Sequence, residues 1–263
     1  MRWRVVAAAF AVVLAGCGAL GGAPEQSGGR SADTPTLTPV PVPEATTAPP
    51  RLPPGLTGAN VTDANALVDA HLAAIRGRSY TLAVRVRIDG ERSERLLRVE
   101  TPTRYYRVDR LADRGDTVQF ADGDDLYTRT EYRGDVRYGR FDDPSLPRSQ
   151  TVALSRAFLR VDDVRVAETR VDGDVAYELT GRYPVHPSVD TLANFSLRAI
   201  VEPDGFIRSL NVSYVRTGTG DGTTVSRSFV YSDVDATTVE EPAWVDREFD
   251  RGAETGRPVA TDS

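Results

Sequence analysis

Apolar positions between residues 62 and 77 recur at helical spacing. Ala64, Leu67, Val68, His71, Leu72 and Ile75 advance in steps of three and one, the signature of a single buried stripe. Thr62 or Asp63 is placed to cap the N-terminus of that helix, and Gly77 ends it. The period then switches from 3.6 to 2. In "SYTLAVRVRIDG", Tyr80, Leu82, Val84, Val86 and Ile88 share one face, and Thr81, Ala83, Arg85 and Arg87 share the other, which describes a half-buried antiparallel strand. Alternation continues, and strands are predicted near 79–89, 92–100, 103–110, 116–121, 125–132, 136–141, 162–171, 174–182, 195–202, 206–217 and 223–232. Asp-Gly pairs at 89, 122, 172, 204 and 221 punctuate them, a strong hairpin signal because both residues tolerate positive φ. A short second helix is predicted over 150–159. So many consecutive hairpins cannot lie flat. The expectation is an α+β fold, mostly β: one strongly curved antiparallel sheet with one or two helices packed on its concave face.

The first 56 residues have a different character. Arg2 and Arg4 precede an apolar run from Val5 to Leu14, then Leu14-Ala15-Gly16-Cys17. Ten residues rise about 15 Å as a helix, half a hydrocarbon core, so the run is expected to direct export rather than to span a membrane. Cys17 is the chain's one cysteine and excludes an intramolecular disulfide. Gly, Ser, Thr and then closely spaced prolines follow to Gly55, the composition of a tether. The expected organisation is a signal peptide over 1–16, a lipidated Cys17 with its tether over 17–56, a folded domain over 57–250 and a disordered tail over 251–263.

Every one of the 32 basic residues is Arg, and 38 acidic residues bring the net charge to -6. An acidic chain argues against nucleic acid as a partner. Asp and Arg in place of Glu and Lys, with abundant Val and Ala, resemble proteins of high-salt archaea; codon bias alone is the alternative. No HExxH, GxSxG, Walker loop or GxGxxG is present. His71 on an apolar stripe and His186 in the predicted loop "YPVHPS" read as core or edge residues, and no catalytic residue, cofactor or metal site is expected. Asp122-Gly123-Asp124-Asp125 reads as a hairpin turn rather than a calcium loop, because it lacks the later acidic ligands. Asn60, Asn194 and Asn211 open glycosylation sequons. The strand aromatics either line an apolar pocket or fill a core, and filling a core is the default.

The order of parts carries a resemblance. Leu-Ala-Gly-Cys at 14–17 resembles the lipobox of bacterial and archaeal lipoproteins. It is followed by the Pro-rich tether, "DANALVDAHLAAIRGRSYTLAVRVRIDG", the hairpins "FADGDDLYTRT" and "EPDGFIRSL", and "EPAWV". The whole resembles uncharacterised cell-surface lipoproteins of haloarchaea and, more distantly, the lipoprotein-localisation-factor superfamily. That superfamily includes the outer-membrane lipoprotein carrier and mycobacterial lipid-carrying lipoproteins. The resemblance implies an unclosed half-barrel with an apolar cavity, which Leu67, His71, Ile75, Tyr80, Leu82 and Val84 are candidates to line. It also implies lipidation of Cys17 and anchoring, after export, to membrane lipid at the outer face of the cell. A non-catalytic binder of an apolar ligand or lipid is the function expected. The alternative is a surface protein-interaction or sensor module without a bound ligand.

Overall fold

The computed structural model describes residues 51–112, 114–142, 144, 150–159, 164–186, 189–218 and 222–249, and Cys17 lies outside them. Three helices and eleven strands occur among these residues.

Helix α1 spans Ala64–Ala74. Of the two candidate caps Asp63 serves: its carboxylate accepts from the backbone N–H groups of Asn65 at 2.9 Å and Ala66 at 3.0 Å. Ala64, Leu67, Val68 and His71 form its buried stripe. Replacing Asp63 by Ala leaves two first-turn donors to water and is expected to lower stability by about 1 kcal/mol, measurable as a lower denaturant midpoint at unchanged m-value. The packed fold begins slightly before the expected boundary at Thr57. Leu56 belongs to the core, and the Gly55 carbonyl accepts from the N–H groups of Thr62 (2.8 Å) and Asp63 (3.1 Å). Gly55 has φ +82, and a Cβ there would lie 2.0 Å from the Asp63 carbonyl oxygen, so only glycine fits.

The strands are β1 Tyr80–Ile88, β2 Glu91–Thr101, β3 Arg104–Leu111, β4 Gly115–Asp122, β5 Asp125–Tyr132, β6 Asp135–Phe141, β7 Arg165–Val171, β8 Asp174–His186, β9 Val189–Val201, β10 Ile207–Arg216 and β11 Thr223–Ser232. They form one antiparallel, unclosed sheet in the order β6-β5-β4-β3-β2-β1-β11-β10-β9-β8-β7. Two meanders therefore meet at β1 and β11, where Leu82 stands opposite Tyr231 and Val84 opposite Phe229. Asp89-Gly90, Arg133-Gly134 and Asp172-Gly173 have positive φ at both positions, the two-residue turn whose twist suits a hairpin.

This order explains where the second helix lies. Between β6 and β7 the chain passes from one edge of the sheet to the other, about 48 Å if the sheet were flat. Helix α2, Gln150–Phe158, lies on that crossing and packs Leu154 and Phe158 into the main core beside α1 Leu67. Helices α1 and α2 thus cover one face, as expected. That face holds Tyr80, Leu82, Val84, Leu97, Val99, Tyr105, Phe195, Leu197, Leu210, Phe229 and Tyr231, all buried.

A third helix, α3 at Ala243–Phe249, was not anticipated by the alternation pattern. It lies on the opposite face. Phe120 and Tyr127 alternate with Ala121 and Leu126 of the main core, and together with Val239, Val245, Trp244 and Phe249 they make a second, smaller core. The sheet carries apolar layers on both sides of β3 to β5.

Candidate functional site

Under α1 and α2 the sheet presents its widest apolar surface, and one polar relay crosses it. His71 is fully buried, with its ring 5.6 Å from Phe206 and 5.4 Å from Tyr231, centre to centre. Its Nδ1 accepts from the Ile207 N–H at 3.2 Å. The ring is therefore neutral with its proton on Nε2, which faces the Tyr231 hydroxyl at 3.5 Å. That hydroxyl lies 3.1 Å from Thr151 Oγ1 on α2. The relay joins β10, α1, β11 and α2. Burial pushes the imidazole down to about 4, against the opposing pull of Asp204.

Of the residues expected to line a cavity, Leu67, His71, Tyr80, Leu82 and Val84 come together beneath the helices, and Ile75 packs against the edge of this cluster. They touch one another and the sheet. His71, Thr151 and Tyr231 are each at most 1% exposed, so no substrate reaches the relay unless a helix moves. His186, the other histidine, ends β8 with its ring edge-on to Phe195 at 4.6 Å, and burial lowers its pKa too. Asp122 and Asp125 flank the β4–β5 hairpin turn, where Arg104 binds Asp122 at 2.6 Å and Arg140 binds Asp125 at 2.9 Å.

Further along the same face the lining turns polar. On β2, Arg95 follows Leu97 and Val99; on β3, Arg107 and Asp109 follow Tyr105. Asp109 accepts from both guanidinium groups: Arg95 Nη2 reaches Oδ2 at 3.1 Å, Arg95 Nε binds Oδ1, and Arg107 Nη2 binds Oδ2. Burial works to raise the Asp109 pKa, yet the hydrogen bonds and charges of Arg95 and Arg107 prevail and hold it below the ordinary carboxylate range. The triad was not singled out from the sequence. Its signal was a break in alternation: charged residues at positions in phase with Tyr105, Leu97 and Val99.

The sequon asparagines are apart from both features. Asn60, Asn194 and Asn211 are all exposed. Asn60 bridges to Arg165 at the β7 edge, Asn194 sits in the β9 irregularity with φ +51, and Asn211 lies on the solvent face of β10 opposite Arg198 and Ser228. Near Asn60 an open groove of about 830 Å³ is lined by Arg165, Thr180, Gly181, Arg182 and Tyr183. A second, of about 440 Å³, lies between the β7–β8 and β9–β10 turns beside Glu202, Asp204 and Arg208. No helix among the described residues is long and apolar enough to cross a membrane.

An unclosed antiparallel sheet with two helices across an apolar concave face defines the class: a helix-lidded half-barrel. Within it, the chain belongs to a family of unknown function, DUF7537, whose model matches residues 2–248 and so takes in the segment around Cys17. No curated protein matches it significantly. Among solved structures it is similar to the di-domain ARO/CYC StfQ from the steffimycin biosynthetic pathway, at 11% identity over 70% of this chain and 84% of that one. The TM-score is 0.14, and the likeness carries no argument about activity.

Proposed function

We propose that the protein is an exported, non-catalytic lipoprotein of the cell surface, held to the membrane through Cys17, whose half-barrel binds an apolar ligand or lipid against its concave face. One observation carries this reading: among the described residues, the aromatic-rich face of the sheet is covered by two short helices, joined to each other by an exposed ion pair, Arg156 to Asp69 at 3.1 Å. A side-on shift of α2 would uncover Phe195 and Tyr214, which Phe158 now covers, while leaving every strand pair intact. Apolar ligand would then replace helix contacts, and the binding would draw on burial of apolar surface. The resemblance to lipid-carrying lipoproteins points the same way. Native mass spectrometry of the chain from Ala48 onward, purified from its host without detergent, tests it. A bound species of lipid mass, lost on denaturation, is the expected result; a bare polypeptide, together with no uptake of added lipid, would remove the reading.

A second reading, a protein-interaction or sensor module, is favoured by one edge. Strand β6 has no strand beyond it among the described residues and exposes Val136, Tyr138 and Phe141. Crosslinking in intact cells that recovered no partner through β6 would discard it.

A further inference from the structure

The concave face holds a positive charge that the described residues do not neutralise. Arg95 and Arg107 bring two guanidinium groups to one carboxylate, Asp109. Their lateral neighbours on this face, Val84, Leu97, Thr117 and Gln119, are all uncharged, as is Tyr105 next along β3. Both Asp109 oxygens already accept hydrogen bonds, and Arg107 Nε is buried without a partner. Opposite Arg107 on β4, the Gln119 side-chain oxygen is also buried and unpaired, and so is Nε of Arg227, on the same face of β11 across from Val86. A buried unpaired donor on a charged group is costly, and a net positive cluster calls for an anion. The surplus is local, because the chain as a whole carries -6. Water and small solutes still reach the place: the side chains of Arg95, Arg107 and Asp109 keep 21, 14 and 11% of their exposure.

We propose that this cluster binds an oxyanion, a phosphate or sulfate, with Arg107 and Arg95 donating to its oxygens and Gln119 accepting from a hydroxyl on the same molecule. Arg geometry suits such a group, since its fork donates to two oxygens at once. Leu97, Val99 and Leu82 continue from the cluster into the apolar part of the same face. The ligand that uses both is an anionic amphiphile, its headgroup on the Arg residues and its tail toward the helices. The tail's path rests on the apolar-ligand reading above; the headgroup site stands on the triad alone.

Calorimetric titration of the full-length chain in neutral maltoside detergent tests it, with inorganic phosphate, dodecyl phosphate and dodecanol as probes. Dodecyl phosphate is expected to bind, and Arg107→Gln to weaken that binding about tenfold or more through loss of charge-assisted hydrogen bonds. Asp109→Asn removes the competing carboxylate and is expected to tighten phosphate binding, an effect that damage to the fold would not produce. Thermal unfolding of each variant shows whether it is folded. Dodecyl phosphate binding more tightly than inorganic phosphate assigns the site to a lipid headgroup, and equal affinities assign it to free anion. No binding of either phosphate, or binding indifferent to both substitutions, overturns the site. Dodecanol binding that survives this second outcome leaves the apolar-ligand reading intact, whereas phosphate binding without dodecanol or chain-length dependence removes that reading and keeps the anion site.

Discussion

Replacing Phe229 by Ala is expected to cost about 3–5 kcal/mol, a large part of the roughly 5–15 kcal/mol that holds a typical domain together. Phe229 is 0% exposed and sits at the seam where the two meanders join, with Val84 opposite on β1 and Leu210 on β10. Its ring meets Tyr231 edge to face at 5.8 Å. Truncation removes apolar contacts from three adjacent strands at once, and the sheet's backbone hydrogen bonds prevent those strands from closing over the gap. The loss should therefore exceed the transfer value of the ring alone. Val230, the next residue, is 44% exposed on the opposite face, and Val230→Ala should change stability by no more than about 0.5 kcal/mol. Urea unfolding of the two variants checks the pair. Equal losses would mean that the buried face of β11 is not where the sheet gains its stability.

The contrast between those neighbours is what made the strands legible. Alternation of period 2, punctuated by Asp-Gly turns, located all eleven strands, most plainly where one face lies in water and the other in a core, as on β1, β10 and β11. Where a second constraint acted, the pattern misled. Pro184 and Pro187 make "YPVHPS" look like a loop, yet β8 runs on to His186. The β7–β8 register starts at Arg165 opposite Thr180, so the residues after Thr180 pair only with β9 and a proline there need not donate to a second strand. Helix α3 escaped notice because its seven residues make about two turns, too few to display a period. Its binding face was visible all the same, as Phe120 and Tyr127 in the phase that on β1 reads as solvent.

The candidate site divides along the same line. Leu67, His71, Tyr80, Leu82 and Val84 could be grouped from spacing, because a helix stripe and a strand face that are neighbours in sequence must bury against each other. Their partners could not. Phe206, Thr151 and Tyr231 lie 135, 80 and 160 residues from His71 in the chain, and only the return of β11 to β1 brings Tyr231 there. The Arg95–Asp109–Arg107 cluster depends on register as well: a slip of one residue between β2 and β3 would turn one partner to the other face.

Acidification from pH 7 to pH 4 is expected to remove about 3 kcal/mol of stability through His71 alone. In the unfolded chain the imidazole titrates near its ordinary 6.5, whereas in the fold burial lowers it to about 4. Between those two values the unfolded state binds more protons than the folded one, so stability rises with pH there and is lost as pH falls from 6.5 toward 4. At about 1.36 kcal/mol per unit the difference comes to about 3 kcal/mol, and below pH 4 it levels off because both states are then protonated. Asp109, with its lowered pKa, adds a loss in the same direction at lower pH. Glu202 is raised, chiefly by burial, so its contribution is present in acid and lost as pH rises through its folded value, opposing His71. The test is therefore a difference between two proteins. His71→Phe leaves the Ile207 N–H without its acceptor and should be less stable by about 1–3 kcal/mol at pH 7. Between pH 6.5 and 4 its stability should fall less steeply than that of the parent, by a relative change of about 3 kcal/mol that closes the gap at pH 7 or reverses it. Parallel curves would place the titrating group elsewhere. A closing or reversed gap would identify His71, whose relay ties both helices to the sheet, as a group whose protonation drives unfolding in acid.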